Sequence, residues 1–249
     1  MGYTGPAGDG GELHQVEEHH HRNVQSGGGR AAVFGVSDGL ITNVALILGI
    51  AGAHPTAGIV RLAGLAGLIA GAFSMGMGEL ISMRAHGELL ERELRVEKGA
   101  IERDADKERE ELALIYIRRG FSRRLAEQFA AEAMANPELA LETHAREELG
   151  FDPGAKGSAG VASIASLASF AVGALVPLLP WLVGSGTAAV LWSIAASGVL
   201  AVAIGAALSF FTGKALWFSA LRELMLVAVA TAVTWGIGHA VGLGSGAPG

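Results

Sequence analysis

Two carboxylates stand where a purely structural chain would not place them. Asp38 lies in "FGVSDGLITNVALILGI", an apolar run in which it is the single formal charge. Glu79 lies in "GAFSMGMGELISM", again alone. A carboxylate near a bilayer centre costs about 2.5–3.5 kcal/mol on insertion scales, so it needs a partner, a cation or a proton. Asp38 shares a helical face with Gly35, Thr42, Ala45, Gly49 and Gly52, a face small enough to admit another helix closely. Glu79 shares one with Gly71, Met75, Gly78, Ser82 and His86, which mixes thioether, carboxylate, hydroxyl and imidazole. Two readings follow. The carboxylates are structural, paired with backbone donors or helix ends, or they line a cation or proton pathway. A thioether beside carboxylates favours a transition metal over Na⁺ or a proton, although methionine is also ordinary packing.

The elements that must position these groups are helices in lipid. The chain of 249 residues is 51% hydrophobic and only 17% charged, against about 25% charged in soluble domains. Apolar segments run over 31–53, 62–83, 161–183, 188–211 and 224–242, each long enough to cross a hydrocarbon core of about 30 Å. The expected fold is an all-α membrane protein with five transmembrane helices. Between spans two and three, residues 84–160 form a small inserted helical domain, expected to be cytoplasmic. Its run "RAHGELLERELRVEKGAIERDADKEREELALIYIRRG" is expected to break near Asp104 to Asp106. Leu112, Ile115 and Tyr116 supply an apolar stripe, Gly120 a stop and Ser122 an N-cap. Asn136-Pro137 then starts a helix that ends at Gly150. No strand signal is present.

Residues 1–30 read as a polar tail with one short helix around 12–24, without the apolar core of a signal peptide. The tail's "HQVEEHHH" offers metal ligands but reads first as a loose, solvated segment. Lys and Arg cluster in the tail, in 84–160 and at Lys214 and Arg222, with Arg61 alone between spans one and two. That alternation predicts a cytoplasmic N-terminus and an external C-terminal tail, 243–249. The polar tail suits a prokaryotic plasma membrane. Net charge −6 argues against a nucleic-acid partner, and the absence of cysteine removes disulfides and thiolate ligands. Helical di-iron enzymes use Glu-x-x-His pairs, which 84–160 does not contain.

"AAVFGVSDGLITNVALILGIAGA", "GLAGLIAGAFSMGMGELISMRAHGELLERE" and "EREELALIYIRRGFS" resemble the vacuolar iron transporter family, from about residue 30 to 242. The resemblance implies a five-span homodimer that moves Fe²⁺, and often Mn²⁺, out of the cytosol in exchange for protons. The metal is then substrate, with no tightly bound cofactor. It implies a pathway between the first two spans of each subunit, with Asp38 and Met75 as ligands and Glu79 in the same motif. It further implies cytoplasmic metal binding through two Glu-x-x-Glu pairs and a Met-Met-x-x-Glu run. Glu108 and Glu111 match the second pair. The first keeps Glu97 but has Ala100, and the run becomes His144, Ala145 and Glu148. Without the resemblance these glutamates read as a solvated helix face. The alternative to a transporter is a membrane-anchored metal-binding protein that transports nothing.

Overall fold

The computed structural model describes residues 27–154 and 157–244. It contains eight helices and no strand among those residues. They are α1 (Gly27–Gly52), α2 (Ala57–Arg103), α3 (Ala105–Arg118), α4 (Arg123–Met134), α5 (Pro137–Glu147), α6 (Ala159–Val183), α7 (Gly186–Thr212) and α8 (Leu216–Gly244). Five of them, α1, α2, α6, α7 and α8, are long and apolar enough to cross a membrane. The short helix expected at 12–24, the "HQVEEHHH" cluster and the tail from 245 lie outside the described residues.

Helix α1 is the hub. It packs on α6, α8, α2 and α7, and Leu40, Val44, Ile47 and Leu48 form the centre of the core. Glycine permits this. A Cβ on Gly39 would sit 2.1 Å from the carbonyl oxygen of Phe170, and one on Gly173 would sit 2.0 Å from that of Val36. Lipid tails give no hydrophobic drive between spans, so close backbone approach supplies the packing. The small face predicted around Asp38 is shared between two neighbours. Gly35 meets Ser169 of α6, whereas Gly49 and Gly52 meet Thr234 and Trp235 of α8.

Helix α6 carries Pro177 and Pro180 in its interior. Each lacks the N–H that a helix needs. Nearby carbonyls are taken up by side chains from other helices. Asn43 Nδ2 donates to Ala174 O at 2.6 Å, and Ser193 Oγ to Pro177 O at 2.6 Å. Arg61, expected in a loop, lies in the second turn of α2. It donates to Trp181 O at 2.6 Å and Gly184 O at 3.0 Å, capping the end of α6. Its place on the side poor in basic residues therefore has a structural cause.

The boundary drawn at residue 83 falls inside one helix. Helix α2 runs 47 residues, roughly 70 Å at 1.5 Å per residue. "ISMRAHGELLERE" holds no proline, and Gly87 meets no neighbour, so nothing stops the helix where its surroundings change. It stops at Asp104 (φ −150°, ψ 73°), whose carboxylate accepts from Lys107 N at 3.1 Å and caps α3. Gly120 (φ +99°) and Gly150 (φ +74°) end α3 and the turn after α5. Ser122 takes the N-cap position of α4, but its side chain makes no capping bond. Asn136 does, accepting from Glu138 N at 2.9 Å and Leu139 N at 3.3 Å. Helices α3, α4 and α5 pack on one another, with Leu112 and Ala113 of α3 against Ala130 and Ala133 of α4, and α3 and α5 also pack on α2.

Candidate metal centre

Three helices converge on one imidazole. His144, in the last turn of α5, is fully buried. Its Nδ1 lies 3.0 Å from Glu97 Oε1 of α2 and 3.4 Å from Glu148 Oε2. Glu108, in the first turn of α3, completes a group whose ligand atoms all lie within 4.8 Å of one another. Glu97 and Glu108 are buried, 7% and 5% exposed, while Glu148 is open to solvent. The reversal at Asp104 makes this possible, because it folds α3 back so that Glu108 returns towards Glu97, eleven positions earlier.

The group is electrostatically unfinished. Burial pushes the Glu97 carboxyl above the ordinary carboxylate range. His144 opposes that shift, and Glu148, Glu108 and Glu111 add to it. Burial likewise raises Glu108, reinforced by Glu111 and opposed by His144 and Lys107. Glu97 Oε1, although 3.0 Å from His144 Nδ1, and His144 Nε2 are both buried without a well-directed hydrogen bond. Such orphaned atoms are rare in a folded protein and call for an explanation. A divalent cation beside Nδ1 would account for the Glu97 oxygen, since it satisfies carboxylate lone pairs and neutralises the carboxylates together, whereas Nε2 points to the other side of the ring. Oxygen donors with one imidazole suit Mn²⁺, Fe²⁺ or Zn²⁺ better than a soft ion.

Four of the five expected cytoplasmic ligands are thus brought together. Glu111 is not. It lies outside the group, half-buried, with Oε1 3.2 Å from Lys107 Nζ. Spacing i,i+3 puts Glu108 and Glu111 on one side of α3, but the ion pair with Lys107 turns Glu111 away. Its charge still acts on Glu97 and Glu108 through space.

The intramembrane residues are arranged differently. Asp38 is half-buried and accepts from Thr42 Oγ1 at 3.5 Å. Thr42 is exposed, and Phe34, one turn before Asp38, is 64% exposed. This line of α1 therefore faces away from the chain's own helices. On α2, Gly71 is pressed against the Phe170 ring, and Met75 packs beside the cluster of Ala72, Phe170 and Ala174. Further along, Gly78, Ser82 and His86 are exposed and Glu79 is half-buried. Contacts of Gly64 with Ile47 and of Gly67 with Leu46 and Asn43 fix the antiparallel register of α1 and α2. Carried along the helices, that register sets Asp38 within about half a turn of the level of Met75 and about one and a half turns from Glu79.

One buried carboxylate escaped the sequence reading. Glu223 sits beside Arg222 at the edge of the last apolar segment. It is 5% exposed, accepts from Ser37 Oγ at 3.0 Å and lies 3.4 Å from Arg222. This bond ties α8 to α1 one residue before Asp38. Asn43 was also passed over. It is fully buried and its Oδ1 has no partner. A lone amide within an apolar span was the available signal.

A family model described as "VIT family" matches residues 29–239. The chain is similar to a vacuolar iron transporter of Centaurea cyanus, 29% identical over 226 residues, which cover 90% of this chain and 91% of the relative. It is 31% identical over 227 residues to vacuolar iron transporter 1 of Oryza sativa subsp. japonica, covering 90% of each. A vacuolar iron transporter of Acanthamoeba castellanii is 33% identical over 226 residues, covering 89% of this chain and 82% of that protein. The match of the family model over most of the chain, with relatives aligned over about nine-tenths of it, places the chain in the VIT family.

Proposed function

We propose that this protein is a divalent-metal transporter that moves Fe²⁺ or Mn²⁺ out of the cytosol in exchange for protons. The observation that carries the reading is the group of Glu97, Glu108, His144 and Glu148, with its orphaned buried atoms. That group gathers cations on one side of the membrane helices. Asp38 then receives the ion within the bilayer, with Met75 and Glu79 nearby along α2. Relatives named vacuolar iron transporter support iron as the cargo. They are plant and protist proteins named for the vacuole and lend no support to a prokaryotic plasma membrane.

In this reading the working unit is a homodimer, and α3–α5 are cytoplasmic. The outward line of Phe34, Asp38 and Thr42 supports the first point. Facing lipid, Asp38 would cost about 2.5–3.5 kcal/mol, whereas facing its twin across a two-fold axis it can share a cation. Phe121, Leu125 and Phe129 expose an apolar patch on the inserted helices, which a second copy would cover. Protons compete for the same carboxylates, which gives exchange a simple physical basis.

Uptake of Mn²⁺ into sealed vesicles containing the purified protein tests the reading, with a pH dye inside to follow proton efflux. Asp38→Asn keeps the shape and removes the charge, and it should lower uptake by about tenfold or more, the equivalent of about 1.4 kcal/mol. Normal uptake by Asp38→Asn would remove Asp38 from the pathway. A wild-type protein that binds Mn²⁺ but admits none to the vesicles would favour the membrane-anchored binding protein instead.

A further inference from the structure

At the end of α1 remote from Asp38, two imidazoles meet. His54 lies in the link between α1 and α2, and His239 in the last part of α8. Their ring centroids are 5.8 Å apart at 63°. We infer that His54 and His239 form a second site for a borderline divalent transition metal, at the opposite membrane face from the carboxylate group. Its place at the end of a transport route rests on the function proposed above, but the metal site itself does not.

Three observations carry the inference. The first is distance. Two imidazoles sharing one ion, with metal–nitrogen bonds of about 2.1 Å at octahedral to tetrahedral angles, hold their centroids roughly 4.6–5.3 Å apart. The rings stand at 5.8 Å, so a shift of about half an ångström brings them to that separation. The second is backbone. His54 has φ +56° and is the one non-glycine residue with positive φ among the described residues. That region is uncommon for a residue with a Cβ, histidine being one of the types that enter it more often, and such conformations cluster at functional sites. A glycine would take this turn freely, yet an imidazole is held in it. The third is the framework. Trp235 stacks on His239 with planes 3° apart and centroids at 5.3 Å, which orients the ring. Glycines close α1 onto α8 here. A Cβ on Gly238 would lie 1.7 Å from Gly49 O, and one on Gly242 would lie 2.8 Å from Ala53 Cα. The pair is thus set by rigid backbone contact rather than by flexible side chains. His54 is exposed and His239 half-buried, so an ion can reach both from solvent. Two neutral nitrogens and water give a weak, releasing site, suited to an ion leaving a pathway.

The stack provides its own reporter. The chain has four tryptophans, and Trp181→Phe, Trp192→Phe and Trp217→Phe leave Trp235 alone. Co²⁺, a paramagnetic borderline ion, is titrated into this full-length protein in detergent, and Trp235 fluorescence is read. Asp38 is roughly 24 Å further along the chain of α1, too far to quench it. The expected result is saturable, one-site quenching by Co²⁺ and none by Mg²⁺, which prefers oxygen. His54→Asn tolerates positive φ, and His239→Phe preserves the stack, so both variants keep the fold. Each should weaken the apparent Co²⁺ affinity about tenfold or more. Quenching that fails to saturate, or that is unchanged in either variant, overturns the site. Asp38→Asn should leave the quenching curve intact while it lowers Mn²⁺ uptake. Saturable quenching in a protein that transports nothing would sink the transport reading alone, and loss of quenching with normal uptake would sink the histidine site alone.

Discussion

The burial of His144 is the decisive fact at the residue scale. A histidine on a charged helix face is usually solvated, and this one has no exposed surface and an unpartnered Nε2. Glu97→Gln and His144→Ala should each lower Mn²⁺ affinity of the full-length protein by about tenfold, read by calorimetry. Glu111→Gln should change it much less, because Glu111 is held by Lys107. Unequal effects in the reverse order would reassign the ligands.

The raised Glu97 and Glu108 also set a pH dependence for the metal-free protein. A carboxyl raised in the folded state binds its proton more tightly there than in the unfolded chain. Stability therefore rises as pH falls through the raised range towards the ordinary one, and is lost as pH rises. Metal-free protein should gain melting temperature as pH falls from neutral towards the ordinary carboxylate range, and Glu97→Gln with Glu108→Gln should flatten that gain. A double variant with the wild-type slope would remove these two carboxyls as its source.

At the scale of elements, glycine decides which helices touch. Gly39→Val would drive a side chain into the Phe170 carbonyl, and backbone cannot yield as a side chain can. It should destabilise the bundle by about 1–3 kcal/mol or more, seen as a lower melting temperature in detergent. Gly87, also helical, meets nothing within 4 Å. Gly87→Ala should be neutral or stabilising by up to about 1 kcal/mol through propensity alone. Equal losses in the two variants would mean that glycine acts here through flexibility rather than through contact. The same scale explains α2. One uninterrupted helix carries both Met75 and Glu97, so a displacement at either end is passed along a rigid rod.

The whole molecule joins two unlike materials. Helices α1, α2, α6, α7 and α8 present apolar surface outward, as with Leu62, Ile69, Phe73, Val199 and Val233, whereas α3–α5 carry charge outward around a small core. The proposed orientation puts α4 in the cytosol and the α1–α2 link outside. The chain has no cysteine, so Gln128→Cys and Thr56→Cys, both at exposed positions, report on each side separately. An impermeant maleimide applied to intact cells should label Thr56→Cys and spare Gln128→Cys. The opposite pattern would invert the topology and with it the direction of transport.

The sequence by itself determined the class of the molecule. Apolar runs near twenty residues leave few options in lipid, since each backbone must satisfy its own hydrogen bonds within a helix. Local chemistry also marked the ends, at Asp104, Gly120, Asn136 and Gly150, because caps and stops act over a few neighbouring residues. The candidate ligands were legible largely through family resemblance, as Glu97, Glu108, His144 and Glu148 are unremarkable on a charged helix. What spacing could not reveal was which of them meet. Glu97 and His144 lie on helices separated by α3 and α4, and only packing decides that their side chains converge while Glu111 is drawn to Lys107. Glu223 and the pair His54–His239 were hidden for the same reason. Their partners lie almost two hundred residues away in the chain, and no local pattern encodes the glycine contacts that bring α8 onto α1.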